Sequence, residues 1–511
     1  MSDAPQLIPT PESMHVDAGS FRIDDHTVIH CTPDASECAE LLADYLQVTG
    51  HRIPITSSAT TSGISLRVDT DEDLGAEGYR LDVTTAGAVL TAPAADGLRH
   101  GIQTLRQLLP PDAYSSEPHP DVVWSLPCAH IVDEPRFAWR GSLLDPARWF
   151  LPIGYLYRYV DALAMHKLNR LHLHLTDDQG WRIEIERYPR LTDVGAWRKE
   201  SPLGHQRDNV HDGVRHGGYY TQAELRDLVR YAAVRGVEIV PEIDLPGHVT
   251  AALAAYPELG NTPDVEVARN WSIHSTVLNL EPATVDFFRN VLTEILDVFP
   301  GRYVHLGGDE VPPGEWETNP AATARLQSLG IPADQAHVWF INQLVPILAE
   351  HGRTAIVWDE AATPDLDPRA VVMSWTSAEA GIAAARLGHR VIMTPMQRTY
   401  FDWYQVDGPH EPVALGGLTT LRDVVEFDPA PPQWDAEVRA RILGTQGQLW
   451  GEYLPTPARV DDMAFPRLCA LAERAWSSDR TDYDDFSDRL ATHEQRLIAA
   501  GIGTRCLLRP D

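Results

Sequence analysis

Acidic and aromatic side chains recur at the ends of a series of short apolar runs. A carboxylate in such a position often caps a helix and a tryptophan often lies in a core, so each alone is weak evidence of function. Their recurrence at corresponding positions indicates that they meet at one rim of the fold. In chain order they are Asp145 and Arg148, Asp177 and Asp178, Asp244 and His248, Asp309 and Glu310, Trp358 with Asp359 and Glu360, Trp375, Tyr400 and Asp402, and Trp450 with Glu452.

This combination of side chains favours a carbohydrate ligand. The C–H faces of a pyranose pack on indole rings, whereas its hydroxyl groups need charged or polar partners. Glycosidic bonds are hydrolysed by pairs of carboxyl groups: one gives a proton to the leaving oxygen, and the other stabilises positive charge at the anomeric carbon. The best candidate pair in this sequence is Asp309 and Glu310.

Two glycines, Gly307 and Gly308, precede this acidic pair. Neighbouring residues on a regular strand point to opposite sides, but a glycine break lets the backbone turn so that both carboxylates can face the rim. Two nearby acids also raise the pKa of one of them, which suits a general acid that works near neutral pH.

His172 and His174 raise the alternative of a metal-dependent hydrolase. A His-x-His pair places two imidazoles on one face of a strand, as in the metal sites of some barrel enzymes. Such a site needs further ligands from later strands, yet the fifth and sixth runs end in Trp358 and Trp375, with no histidine. The sequence therefore favours hydrogen-bonded interior histidines and predicts no metal.

The elements that must position these residues form a repeated strand, loop and helix pattern from about residue 135. Thr221 to Arg235 is the clearest helix, with a capping box of Thr221 and Glu224 and a stop at Gly236. A doubly wound open sheet permits the same alternation, but eight apolar runs and the lack of a GxGxxG turn favour a (β/α)₈ TIM barrel. The predicted strands are Arg140 to Leu144, Arg170 to Leu175, Val237 to Ile243, Tyr303 to Leu306, Ala355 to Trp358, Val371 to Trp375, Val391 to Thr394 and Gln446 to Trp450.

The part of the chain before the barrel is predicted to be a small α/β domain without catalytic residues. The predicted fold is thus an N-terminal, non-catalytic α/β domain over residues 1–133 and a catalytic barrel over residues 134–511. The N-terminal domain is predicted to contain strands at Thr27 to His30, Ile64 to Val68, Tyr79 to Val83 and Ala88 to Ala92, and helices at Glu37 to Val48 and Asp96 to Leu109.

Composition excludes several classes of partner. The formal net charge of −31 would repel phosphate backbones and anionic lipids, so we expect no nucleic acid or membrane partner. The start, MSDAPQLIPTPESMHVDAG, has no basic or apolar signal segment, which predicts a cytoplasmic protein as the chain stands and a secreted one if a leader was trimmed. The scattered Cys31, Cys38, Cys128, Cys469 and Cys506 are predicted to be ordinary reduced cysteines.

Four long motifs resemble the β-N-acetylhexosaminidases of glycoside hydrolase family 20. They are LHLHLTDDQGWRIEIERYPRLTDVGAWR (171–198), GGYYTQAEL (217–225), PEIDLPGH (241–248) and HLGGDE (305–310). They occur in the expected order, and the resemblance covers nearly the whole chain. In this family the acetamido oxygen of the substrate attacks the anomeric carbon and forms a cyclic oxazolinium ion, so no enzyme nucleophile is needed.

The resemblance implies roles for individual residues. Glu310 resembles the general acid and base, Asp309 the carboxylate that holds the acetamido N–H, and Tyr400 the donor to the attacking carbonyl oxygen. The residues that resemble the substrate-binding set are Arg148, Glu452 and Asp402 for the hydroxyl groups, Trp358, Trp375 and Trp450 for the acetamido pocket, and Asp177 and His248 as partners that orient Glu310. Asp244 is interpreted as structural.

The resemblance therefore implies an exo-acting β-N-acetylhexosaminidase that releases terminal β-linked GlcNAc, and also GalNAc, with retention and without a cofactor. Its expected partners are N-acetylhexosamine-containing oligosaccharides or glycoconjugates; no oligomeric state is predicted. The alternatives are a disaccharide-releasing relative, similar to lacto-N-biosidases, and a catalytically silent sugar-binding barrel. One departure concerns residues 415–420, LGGLTT, where family members often carry a tryptophan as a platform for the leaving-group sugar.

Overall fold

The computed structural model describes residues 5–58, 62–409, 411–477 and 482–503. Its N-terminal part is a mixed seven-stranded sheet. In chain order the strands are Ser13–Arg22, Ile29–Cys31, Ile55–Thr56, Gly63–Val68, Tyr79–Thr84, Gly87–Ala92 and Ser125–Asp133. The four predicted strands are all present. The prediction missed Ser13–Arg22, an edge strand that is mostly exposed and therefore lacks a clear apolar alternation, as well as Ile55–Thr56 and Ser125–Asp133.

Two helices, Ser36–Leu46 and Ala95–Leu108, pack against this sheet. The second helix buries Leu98, Ile102 and Leu105 completely, as its helical apolar spacing predicts. The first helix ends in a short 3₁₀ turn that stops at Gly50, whose φ of +75° suits glycine. The predicted α/β architecture of this domain is confirmed.

The following part of the chain closes into a barrel of eight parallel strands. We number these barrel strands β1 to β8. Each predicted strand corresponds to one of them, with shifts only at the ends. The strands are β1 Trp139–Leu144, β2 Arg170–His174, β3 Glu238–Glu242, β4 Tyr303–His305, β5 Thr354–Trp358, β6 Val371–Ser374, β7 Val391–Met393 and β8 Ile442–Leu449.

Helices surround the barrel and include the predicted one, Gln222–Val234, with its Thr221–Glu224 capping box. One connection departs from the strand–helix alternation: residues 359–370, between β5 and β6, contain only a 3₁₀ turn at Asp359–Ala361. The other helices of this part are Ile153–Met165, Arg190–Asp193, Thr250–Ala255, Pro282–Val298, Gly314–Thr318, Pro320–Leu329, Ala336–Glu350, Ala378–Arg386, Met396–Thr399, Leu421–Val425, Ala436–Arg439, Pro457–Ala464, Arg467–Trp476 and Tyr483–Ala499.

A fully buried ion pair and a partly buried one join the N-terminal domain to the barrel. Lys167 Nζ lies 2.7 Å from Asp133 Oδ2, and Arg140 Nη2 lies 2.6 Å from Glu77 Oε1. Arg140 is at the start of β1 and Lys167 comes just before β2, so the contact is at the amino ends of the strands. The opposite rim, where barrel enzymes carry their active sites, is left to the loops that follow the strands.

Four cysteines, Cys31, Cys38, Cys128 and Cys469, are buried and free, as predicted; Cys506 lies outside the described residues. Within the described ranges, no helix has the length and apolar character needed to cross a membrane.

Candidate active site

The chain turns sharply after β4. Gly307 and Gly308 have φ angles of +69° and +98°, and Glu310 also has a positive φ, +47°. The Gly308 N–H donates to Asp244 Oδ1 over 3.3 Å. This turn takes Asp309 and Glu310 out of strand alternation, so both side chains lie near one ring nitrogen of the same histidine, as described below. Asp244 stabilises the turn by accepting this hydrogen bond, in agreement with the structural role that the sequence analysis assigns to it.

We expect Gly307→Ala to damage this turn. A Cβ at residue 307 would lie 1.7 Å from Asp244 Oδ1 and 2.8 Å from the Asp244 Cα, at a φ that non-glycine residues rarely adopt. The variant should lose about 2 kcal/mol of stability and most of its activity, as measured by thermal melting and by kcat. Gly314→Ala is the matched control, because a Cβ there meets nothing within 4 Å. Equal melting temperatures for the two variants would contradict this account.

His248 lies between the acidic pair and two further aspartates. Its Nε2 lies 3.4 Å from Glu310 Oε2 and 3.8 Å from Asp309 Oδ2. Its Nδ1 lies 3.1 Å from Asp178 Oδ2 and 3.4 Å from Asp177 Oδ1. Burial alone would lower the pKa of His248, but the charge of Asp177 and the hydrogen bonds around the ring hold that pKa well above its ordinary value. His248 is thus a cation that faces Glu310, with Asp178 as a partner to which the sequence assigned no role.

Glu360 is a second neighbour that sequence reasoning left without a role. Its Oε1 accepts a hydrogen bond from the Glu310 N–H over 3.1 Å. This bond holds the backbone of Glu310 in its unusual conformation. The signal that could have found Glu360 was its place among the acids at the strand ends.

Asp309 is the member of the acidic pair with the raised pKa. Burial, with smaller contributions from Glu242, Glu310 and Glu360, raises the pKa of Asp309 to about 8, against the opposing effect of His248. The raised pKa that the sequence analysis expects of a general acid thus falls on Asp309, the other member of the pair, and burial contributes more to it than the neighbouring acid does. A donor placed against this carboxylate would favour its ionised form and lower its pKa again.

Four aromatic side chains form one wall beside the acidic pair. Trp358 and Trp450 have ring centroids 5.7 Å apart, and Tyr400 lies 6.3 Å from Trp450. Trp375 stacks with Tyr400 at 6.1 Å and an interplanar angle of 21°. The Trp358 Nε1–H donates to Glu242 Oε1 over 2.9 Å, which anchors this indole in the barrel interior. Burial raises the pKa of Tyr400, so its hydroxyl keeps its proton and can donate.

Arg148 occupies the other end of the site. It donates to Asp145 Oδ2 and to Gln179 Oε1, both over 3.0 Å, and its Nη2 lies 2.8 Å from Asp177 Oδ2. Its guanidinium also lies over the Trp450 ring, at 5.3 Å. The rotamer of Arg148 is therefore held from several sides, and the arginine is joined to the aromatic wall.

Glu452 lies near this arginine, and Asp402 lies near Glu452. Burial raises the pKa of both carboxyls; Glu452 adds to the effect on Asp402, whereas Arg148 opposes the effect on Glu452. The structure thus brings all eleven predicted site residues to one rim of the barrel, where Asp145, Asp178, Gln179 and Glu360 join them.

Several buried polar atoms of this site lack a hydrogen bond to another residue. Among the described residues they include Asp309 Oδ1, Trp375 Nε1, both carboxylate oxygens of Asp402, and Glu452 Oε2. A buried polar group without a hydrogen-bond partner destabilises the folded protein by about 1–3 kcal/mol, so a cluster of such groups is unusual and is typical of a ligand site. Acceptors at one end and an indole donor in the wall suit a ligand with hydroxyl and amide groups.

Some histidines and acids of the interior lie close enough together to share a metal ion. One such group is His172, Glu242 and His305. Hydrogen bonds already account for much of it, because Gln446 donates to His172 Nδ1 and the Gly307 N–H donates to His305 Nδ1. The interior histidines are thus hydrogen-bonded, as the sequence analysis favours, and the expectation that no metal is bound stays a prediction.

Trp403 is an aromatic residue at this rim that sequence reasoning missed. Its ring lies 6.1 Å from Tyr400 in an edge-on contact. Gly417, within the 415–420 stretch, packs against this ring so closely that a Cβ would lie 2.1 Å from Trp403 Cε3. Leu415 and Leu418 of the same stretch are 38% and 42% exposed. Residues 415–420, which contain no aromatic residue, therefore form an apolar loop that packs on the ring of Trp403.

The chain is similar to known proteins along most of its length. Residues 137–479 match the protein-family model "Glycosyl hydrolase family 20, catalytic domain". Residues 4–134 match the family model "Glycosyl hydrolase family 20, domain 2". A β-hexosaminidase of Porphyromonas gingivalis is 39% identical over 97% of the chain, which spans 64% of that relative. The solved β-N-acetylhexosaminidase of Streptomyces coelicolor is 35% identical, with a TM-score of 0.85 and coverage of 99% of this chain and 98% of the other.

A second solved relative is a mutant β-hexosaminidase of Streptomyces plicatus in complex with its product, GlcNAc. It is 35% identical, with a TM-score of 0.85 and coverage of 99% of this chain and 97% of the other.

Proposed function

The chain belongs to glycosyl hydrolase family 20, and from this premise we propose that it is an exo-acting β-N-acetylhexosaminidase. It releases terminal, non-reducing β-linked GlcNAc, and also GalNAc, with retention of configuration. The observation that carries this proposal is the set of unpartnered buried acceptors and the indole donor beside the Asp309–Glu310 turn. These groups match the hydroxyls and the acetamido group of one hexosamine residue.

Glu310 is proposed to protonate the leaving oxygen and then to activate water as a base. Its side chain is 32% exposed, so the carboxyl reaches the open part of the site where a leaving group must stand. His248 Nε2 lies 3.4 Å from Glu310 Oε2, close enough to orient this carboxyl toward the leaving group.

Asp309 and Tyr400 are proposed to act on the acetamido group. Asp309 Oδ1 accepts the acetamido N–H, and the interaction strengthens as the nitrogen becomes positive during ring closure to the oxazolinium ion. The Tyr400 hydroxyl donates to the carbonyl oxygen and aligns it for attack on the anomeric carbon. Trp358, Trp375 and Trp450 enclose the group and exclude water.

Arg148, Asp402 and Glu452 are proposed to hold the hydroxyls farthest from the cleaved bond. The carboxylates accept from hydroxyl groups, and Arg148 donates to them. We propose that this cluster of charged and polar side chains closes the far end of the pocket, which favours cleavage of one terminal sugar over release of a disaccharide. A sugar-binding barrel without activity has no use for the acid Glu310, so this alternative is less well supported.

Hydrolysis of paired aryl β-glycosides tests the function. The two substrates differ only in a 2-acetamido or a 2-hydroxyl group, and each is assayed with and without a chelator. We expect turnover of the acetamido sugar alone, unchanged by the chelator, because the substrate supplies its own nucleophile. Equal turnover of both sugars would indicate an enzyme nucleophile. Loss of activity with the chelator would indicate a metal, and no turnover of either would contradict the proposed function.

A further inference from the structure

A chain of alternating charges runs from the barrel interior to the candidate active site. It starts at Glu242, the last residue of β3, and continues through His174, the last residue of β2, to Asp177. His174 Nδ1 contacts Glu242 Oε2, and His174 Nε2 lies 2.8 Å from Asp177 Oδ2. All three side chains are buried. Because each ring nitrogen faces a carboxylate, each carries a proton, and the ring of His174 is an imidazolium.

The neighbours of His174 maintain this charge. Burial alone would lower the pKa of His174, but the charge of Glu242 and the hydrogen bonds to both carboxylates hold that pKa well above its ordinary value. Trp450 packs edge-on against the ring, at 5.0 Å. The other charged or titratable groups around His174 are Arg148, Asp145, Asp244, His172 and His305.

His172 lies in the same interior but differs in charge. Its Nε2 lies 3.2 Å from Glu242 Oε2, while its Nδ1 accepts a hydrogen bond from Gln446 Nε2 over 3.0 Å. Burial lowers the pKa of His172 to about 4, so this ring is neutral at the pH of an assay. Of the two histidines of the His-x-His motif, His174 therefore carries the charge.

Asp177 is the last carboxylate of this charged chain, and besides His174 it contacts both Arg148 and His248. Its Oδ2 faces His174 Nε2 and Arg148 Nη2, each at 2.8 Å, and its Oδ1 faces His248 Nδ1 at 3.4 Å. Although burial alone would raise the pKa of Asp177, Arg148, His248 and His174 hold it well below its ordinary value. One carboxylate thus orients both the arginine of the sugar-hydroxyl end and the histidine beside Glu310.

We propose that His174 is a positioning residue, a buried imidazolium between Glu242 and Asp177 that keeps Asp177 ionised and oriented toward Arg148 and His248 together. Through Asp177 it thereby links Arg148, which is proposed to bind the sugar hydroxyls, to His248, which orients the acid Glu310. This inference rests on the proposed function for its assay. It assigns a role to the interior pair His174 and Glu242, neither of which reaches the substrate.

The test compares His174→Gln with His172→Gln through the pH dependence of kcat/KM for the 2-acetamido aryl glycoside. Without the imidazolium, the pKa of Asp177 rises, so Asp177 takes up a proton at a higher pH when the solution is acidified. Arg148 and His248 remain and still lower this pKa, so we expect the acidic limb of the His174→Gln profile to move to higher pH without reaching the ordinary range of an aspartate. Because a contact of Asp177 is lost, kcat/KM should also fall about 10- to 100-fold at the optimum.

His172→Gln also replaces a histidine beside Glu242 with glutamine. Unlike His174→Gln, it removes no charge and no contact with Asp177. Its acidic limb should therefore stay in place, even if its melting temperature falls. A folded His174→Gln variant with an unmoved limb would overturn the proposal, and so would an equal shift in both variants. An inactive unmodified protein would instead contradict the proposed function, which separates the two failures.

Two further measurements cover a His174→Gln variant that does not fold. Glu242→Gln keeps the shape of the partner but removes its charge, and we expect it to shift the acidic limb in the same direction. In protein labelled with ¹⁵N-histidine, two buried rings, those of His174 and His248, should retain protons on both nitrogens at pH 8, and one such ring should remain in the His248→Gln variant. The absence of such a ring, or an unmoved limb in Glu242→Gln, would overturn the proposal.

Discussion

Glu310→Gln should lower kcat on chitooligosaccharide-type substrates by about 10²- to 10⁴-fold, because the amide cannot give a proton to the leaving sugar oxygen. The loss should be much smaller on activated aryl glycosides, whose leaving groups need little acid assistance. Steady-state rates on the two kinds of substrate, measured with equal enzyme, check this expectation.

Glu317→Gln is the matched control for this variant, since it makes the same substitution at an exposed position of a nearby helix. It should match the unmodified enzyme on both kinds of substrate. Equal losses on good and poor leaving groups in Glu310→Gln would argue against its role as the acid.

Asp309→Asn should impair every acetamido substrate by about 10²- to 10³-fold, whatever its leaving group. The amide keeps the size of the side chain, but it brings no negative charge to the developing oxazolinium nitrogen. The side chain is only 12% exposed, so solvent can replace little of the lost interaction. The values of kcat and kcat/KM for one oligosaccharide and one aryl glycoside measure the effect.

The contrast between the two variants is the critical result. A loss that depends on the leaving group in Glu310→Gln and one that does not in Asp309→Asn would separate acid assistance from acetamido activation. The exposed Asp365→Asn serves as the control for the second variant. An unchanged rate in Asp309→Asn would remove this carboxylate from the proposed mechanism.

Local patterns in the chain were enough to predict the barrel. Most of its strands are short and almost wholly buried on both faces, so each stands out between polar loops and amphipathic helices. The edge strand Ser13–Arg22 escaped this reasoning because its residues are mostly exposed. The connection at residues 359–370 escaped it because a regular alternation says nothing about one missing helix.

The candidate site divides in the same way. The residue types at the strand ends are local facts, and parallel strands of a barrel bring their carboxyl ends to one rim, so the group containing Asp309, Glu310 and Trp450 could be predicted. The direction in which each side chain points could not. The bond from the Glu310 N–H to Glu360 and the pairing of His248 with Asp178 join residues from different strands, and their geometry depends on how the loops pack.

The sequence by itself determined the barrel, the domain that precedes it, and the acids and indoles at the rim, because these depend on patterns over a few residues. Only the tertiary structure decided which groups are charged. His172 and His174 belong to one motif, yet one ring is neutral and the other lies between two carboxylates. Protonation depends on burial and on charges a few ångströms away, and neighbours such as Glu242 come from distant parts of the chain.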